Sequence, residues 1–429
     1  MSTDKTDASP ATVEAAPAAA GASVTAVDPR LLVREQGFAG YISEFKRKIK
    51  GGDLGAIPVV IGLIVICAVF QSLDSAFLGA ENLSNLGVQM VATGMMSIGI
   101  IFVLLLGEID LSVGSVSGVS SAVLAVMSVT HGVNEWLAIL VSLAGGAVIG
   151  AVHGWFFARL GAPAFAVTLA GLLFWNGFML QVLGDNGTIN IDGDGVVGHL
   201  TGYYFSDVAA AYGLAVIVVA AYFLSAFFGA RRRAAAGIPS RPLSDILLRT
   251  VLLAIAAFGA AAVFNQYKGL PLAVLLFAVA LVVTDFVLRR TSYGRKVFAL
   301  GGSVEASRRA GINVIAVRIS VFAISGLFAS IGGLFWASKI AAANQSAGAG
   351  DLLMNVIAAA VIGGTSLFGG RGRTWNALIG VLVITSIQSG LALEGIATAI
   401  QQMITGAVLL ITVVIDSVTR KTQKSAGRA

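Results

Sequence analysis

From residue 55 to residue 416 the chain alternates long apolar runs with short polar or basic connections. The runs fall at 55–72, 84–106, 112–130, 136–158, 163–183, 208–229, 246–265, 269–288, 318–339, 352–368, 374–392 and 396–416. Most approach the ~20 residues that a helix needs to cross about 30 Å of hydrocarbon. Their apolar residues are continuous rather than alternating, which predicts helices and not a barrel. The pattern predicts an all-α, polytopic transmembrane helical bundle of about 12 spans.

Basic residues orient such a bundle, because cytoplasmic connections retain Lys and Arg. With twelve spans, the clusters at 46–50, Arg159, 231–241, 289–309, Arg371 with Arg373, and 420–424 share one side. The other side holds Lys268, with Lys339 at a helix edge. Both termini are then cytoplasmic. An odd count would scatter the clusters.

Composition agrees. The chain has 429 residues, 57% hydrophobic and 12% charged, with mean hydropathy +0.88. A soluble fold could not cover so much apolar surface, so membrane lipid is an expected contact. The net charge of +6 gathers at helix ends and is no nucleic-acid footprint. Cys67 is alone, and His131, His153 and His199 are scattered without metal-ligand spacing. Residues 1–50 divide into a disordered, Ala- and Pro-rich tail and a basic stretch at 31–50, read as an interfacial helix or a solvated linker. Residues 51–418 form the membrane domain, and 419–429 a cytoplasmic tail.

Small residues recur at helical spacing. Gly146, Gly150 and Gly154 line one face, and Gly114, Gly118 and Ala122 another; both read as close helix packing. The long loop 184–207 contains Asp192-Gly193-Asp194 but lacks the twelve-residue calcium loop and its terminal Glu. No metal is expected.

Local chemistry is most specific inside the cytoplasmic connection 290–317, at GRKVFALGGSVEASRRAGINV (294–314). Gly301-Gly302 break the preceding structure. Ser303 is placed to N-cap, Glu305 to suit the positive end of a helix dipole, and Arg308 and Arg309 the negative end. Gly311 is placed to close the helix left-handed. The result is a two-turn helix, marginal alone in water, that reads as a connector on the bundle or as a docking element. Its apolar positions, Val304, Ala306 and Ala310, are small enough to enter a partner's groove.

A second stretch, GEIDLSVGS (107–115), ends one apolar run and begins the next. Glu108 and Asp110 admit three readings: an intramembrane proton relay, a helix break in which Asp110 or Ser112 caps the next helix while Gly107 and Gly114 allow the turn, or a surface that moves with a cytoplasmic partner. Residues 107–114 match GGTSLFGG (363–370) as GxxxLxxG. The second copy, with Gly363, Gly364 and Gly370, carries no acid, which favours backbone geometry over proton transfer. The full-length apolar run before Gly107 also means that neither acid need lie deep. No basic residue within 84–130 offers an ion-pair partner.

The stretches at 294–312, 107–115 and 356–373, in that spacing, resemble permease subunits of bacterial ABC sugar importers of the ribose, xylose and arabinose type. The resemblance covers about 55–418. It most resembles the xylose permeases, through the WNGFML segment, the extra pair of spans around 231–245 and NQYKGLP at 265–271. It implies that 302–311 couples the chain to a cytoplasmic ATPase, usually a double-cassette polypeptide. It also implies an extracytoplasmic sugar-binding protein and a second copy of the permease. No GxxxxGK[ST] occurs, so ATP and Mg are expected on the partner, with no cofactor on this chain and no catalysis by it. For the sugar path, Trp175, Asn176, Gln181, Asn344 and Gln345 are the expected contacts; each also fits a purely structural role. The expected function is import of a pentose, xylose in particular, by alternating access. The rival readings are an ion-coupled secondary transporter and a branched-chain amino-acid permease.

Overall fold

The computed structural model describes residues 57–425 apart from 239, 241 and 349. The expected tail and the helix at 31–50 lie outside the described residues. Fifteen α-helices follow one another: α1 (Ile57–Leu73), α2 (Ala80–Leu105), α3 (Val113–Ala125), α4 (Glu135–Leu160), α5 (Ala164–Leu183), α6 (Val196–Gly202), α7 (Val208–Ala235), α8 (Leu243–Asn265), α9 (Leu272–Arg290), α10 (Ser292–Gly302), α11 (Val304–Arg309), α12 (Val314–Ile340), α13 (Asp351–Ile362), α14 (Trp375–Leu393) and α15 (Thr398–Ser425). Among the described residues, nine stretches, including α3 with its π-helical extension to Thr130, are long and apolar enough to cross a membrane. Three more apolar helices, Pro58–Leu73, Asp351–Ile362 and Thr398–Val414, are shorter. All twelve expected spans thus contain a helix.

The centre is α2, whose side chains are buried almost continuously from Met90 to Leu106. It is surrounded by α12, α13, α14 and α9. The face Gly146, Gly150 and Gly154 of α4 lies against Ser330, Phe322, Gly326 and Ile319 of α12, as the glycine spacing predicts. α7 and α8 pack chiefly on each other at the margin and expose most of their apolar surface.

Two antiparallel ribbons, β1 (Thr188–Asn190) with β4 (Ala342–Asn344) and β2 (Tyr204–Phe205) with β3 (Leu270–Pro271), mark one end of the bundle. The opposite, basic end carries α10, α11 and the 363–374 connection. The β1–β4 ribbon is folded into the bundle, with Ala343 and Ala347 buried and the Ala347 carbonyl close to Gly118 of α3. α13 is shorter than the expected run 352–368 at its C-terminal end. It ends at Ile362, and the apolar residues beyond it belong to a glycine-rich turn.

Candidate functional site

The basic end is built around α11. Ser303 caps it by accepting from the Ala306 N–H at 3.2 Å, and Gly311 closes it with φ +77°. Both features follow the sequence expectation. The expected break at Gly301-Gly302 is corrected: α10 runs through both glycines, and the chain breaks at Ser303 with φ −161°. Glu305 accepts from Arg309 at 3.3 Å and lies 3.9 Å from Arg308. All three are exposed, so these pairs are weak and readily exchanged. Ala306 and Ala310 face outward, Val304 is half-buried, and Ser307 holds the inner side at 3% exposure.

Above α11 the two GxxxLxxG stretches meet. The Gly370 N–H donates to the Leu105 carbonyl at 2.9 Å, at the last turn of α2. Gly107, at φ +81°, packs on Phe368 and Gly369. Gly301 sits at their junction: a Cβ there would overlap the Leu105 carbonyl oxygen and lie 2.8 Å from the Gly370 nitrogen. Gly302 has open space around it and is exposed. Gly363 abuts Asn376 of α14, Gly364 is left-handed at φ +99°, and Asn376 donates to Thr365 at 3.1 Å. One glycine contact thus joins the end of α10, just before α11, to both helix breaks.

From Gly107 the chain turns back into the bundle. Asp110 is 2% exposed and accepts from Ser325 of α12 at 2.8 Å. Ser325 lies eleven residues beyond Val314, about 16 Å along the helix. The apolar run leaves neither acid any need to lie deep in lipid, yet Asp110 is enclosed within the bundle itself. A second correction concerns capping. Ser112 occupies the N-cap of α3, yet its side chain makes no capping bond. Instead Asp110 accepts both the Ser112 N–H at 2.9 Å and its hydroxyl at 2.5 Å. Gly114 permits the close approach of Gly348.

The polar chain continues outward. Ser112 Oγ lies 3.1 Å from His153 Nδ1, and Trp175 Nε1 donates to His153 Nε2 at 3.0 Å. An indole nitrogen only donates, so Nε2 must accept and the ring proton belongs on Nδ1. That proton points to Ser112, whose hydroxyl proton goes to Asp110. Each member is satisfied, and none of Asp110, Ser112, Ser325, His153 and Trp175, with the ring proton on Nδ1 alone, bears a positive charge. The arrangement holds four helices, α3, α4, α5 and α12, around the break.

Glu108 is half-buried. Burial pushes its carboxyl above the usual carboxylate range, and the Arg318 guanidinium draws it partly back. Arg318, which also lies 4.3 Å from the Phe157 ring centroid, supplies a cation that the sequence around 84–130 lacks.

The expected sugar contacts do not converge. Trp175 belongs to the polar chain. Asn176 is half-buried, with its carbonyl oxygen buried and unbonded, and Gln181 is exposed. Asn344 folds onto its own turn by accepting from Ser346, while the Gln345 N–H donates to Gly187 across the ribbons. His153, Ser325 and Arg318 are the residues that sequence reasoning missed. Their signal is only a polar residue within an apolar run.

Residues 82–413 match the family described as branched-chain amino acid transport system / permease component. The xylose transport system permease protein of Escherichia coli K12 is 35% identical over 374 residues, 87% of this chain and 94% of that protein. Its Haemophilus influenzae counterpart is 35% identical over 375 residues, 87% of this chain and 99% of that protein. The ribose import permease protein of Bacillus subtilis is 29% identical over 374 residues, 87% and 96% of the two chains. No solved structure matches the chain. The chain belongs to the family of ABC-type permease components that these proteins share. It is a multi-pass protein of the bacterial cytoplasmic membrane.

Proposed function

We propose that this chain is the membrane permease of an ATP-driven importer for a pentose, xylose in particular. The xylose and ribose permeases that match over nearly the whole chain support the substrate class. The basic end is cytoplasmic, and the nine long and three shorter apolar helices make twelve crossings with both termini inside. A separate ATPase, double-cassette by family resemblance, carries ATP and Mg, and this chain binds no cofactor. A binding protein delivers sugar at the ribbon end, and two copies of the permease frame one path.

The observation that carries this reading is the exposed, capped α11, linked through Gly301 to both helix breaks. ATP-driven closure of the partner moves α11. Gly301 passes the displacement to Leu105 and Gly370, and the bundle reopens toward the other face. Replacing Ala306 with Glu tests it, because the side chain is exposed and the bundle need not respond. The variant should insert normally, lose co-purifying ATPase and lose sugar uptake. Wild-type ATPase stoichiometry with normal transport would refute the assignment.

A further inference from the structure

Resting on the import reading, we infer that a ladder of carboxamides at the ribbon end forms the permease's own monosaccharide-contact site. Asn82, Asn85 and Gln89 recur at i, i+3 and i+7 on one face of α2, a stripe about 10 Å long. Two cavities meet at this stripe. One, of about 420 Å³, includes Asn85, Gln89, Thr201, Tyr204 and Ser338 in its lining. The other, of about 380 Å³, is lined by Asn82, Gln89, Gln388, Ser389, Gln401 and a small apolar margin at Ala392 and Leu393. Gln89 lines both.

The hydrogen bonds separate scaffolding amides from available ones. Asn82 donates to the Phe77 carbonyl at 2.8 Å and accepts from Ser389 at 2.9 Å. Gln401 donates to Ile396 at 2.8 Å. The side chains of Asn85, Gln89 and Gln388 bond to no other described residue, and all three line a cavity. Gln89 is exposed and Asn85 and Gln388 are half-buried, so their amides are open to water or a solute in the cavities.

The chemistry selects the solute. A carboxamide donates and accepts at once without charge, which matches the vicinal hydroxyls of a pyranose. The smaller cavity contains no charged side chain. A zwitterionic amino acid would leave its carboxylate and ammonium without partners there, at a large desolvation cost. A neutral polyol leaves nothing unpaired. The larger cavity is lined also by Asp192 and Lys339, so it is the uncharged smaller cavity that favours a neutral polyol over a zwitterion. Gln89, standing between both cavities, passes the sugar from one to the other.

The test uses the assembled transporter, its ATPase and its binding protein in proteoliposomes, with labelled xylose as probe. Gln89→Leu and Gln388→Leu should each reduce uptake about fivefold to tenfold, the loss expected for one or two neutral hydrogen bonds. Stimulation of ATP hydrolysis by loaded binding protein should stay within about twofold, because docking and coupling are untouched. Gln89→Asn and Gln388→Asn should recover part of the rate, which separates lost contacts from misfolding. Wild-type uptake in both Leu variants would overturn the site. A wild-type transporter that imports no monosaccharide would instead defeat the import reading, and the two failures are distinct.

Discussion

Gly301 and Gly302 are adjacent in α10 but stand in opposite surroundings, and that contrast yields a stringent prediction. Alanine at 302 meets nothing within 4 Å, so helix propensity should make Gly302→Ala neutral or slightly stabilising. Alanine at 301 would overlap the Leu105 carbonyl and crowd the Gly370 nitrogen, which are already bonded to each other at 2.9 Å. Losing that bond costs about 1 kcal/mol, and overpacking adds about 1–3 kcal/mol. The gain in helix propensity returns about 1 kcal/mol. The net, about 1–3 kcal/mol, shifts the balance between arrangements of the two breaks roughly 5- to 150-fold. The exposed face of α11 is unchanged, so ATPase binding should persist. Sugar transported per ATP hydrolysed by the reconstituted complex is the assay. Gly301→Ala should lower the ratio at least about fivefold, while Gly302→Ala stays within about twofold. Equal ratios for the two variants would refute the Gly301 junction as the coupling route.

Other outcomes follow from the same geometry. His153→Phe leaves the Trp175 N–H and Ser112 without their partner, and should lower the detergent-solubilised melting temperature by the equivalent of about 1–3 kcal/mol; an unchanged melting curve would count against the polar chain. Arg318→Gln removes the influence that lowers the Glu108 carboxyl, so its protonation midpoint should rise, read from the carboxyl infrared band across a pH titration with Glu108→Gln as reference. A midpoint that falls or stays would contradict the assignment. Glu108→Gln should add no new pH dependence to uptake, whereas a new dependence would favour a proton role. Reporter fusions at Asp192 and Ala235 should report opposite sides of the membrane; finding both on one side would break the twelve-crossing topology.

What could be read from sequence was local. The capped α11 was legible because its N-cap, dipole-matched charges and left-handed Gly311 are all set within nine residues. The Gly146, Gly150 and Gly154 face was legible because close packing needs only absent side chains at fixed spacing. The depth of Asp110 was not, because it depends on Ser325 of α12 and His153 of α4, whose proximity no periodicity encodes. Nor was the end of α13: hydropathy continues past Ile362, while the chain leaves the helix for a turn with Gly364 at φ +99°. The stripe Asn82, Asn85 and Gln89 was present at helical spacing, yet within a long apolar run it reads as three isolated polar residues until the cavities beside it are seen.

In the proposed mechanism, ATP hydrolysis by a partner, acting through α11, drives neutral sugar across this bundle. Uptake of labelled xylose by proteoliposomes holding permease, ATPase and binding protein tests it most directly, with ATP inside and a proton uncoupler added. Uptake should stop without ATP, stop in Ala306→Glu and be indifferent to the uncoupler. Uptake that continues without ATP and collapses with the uncoupler would contradict this mechanism.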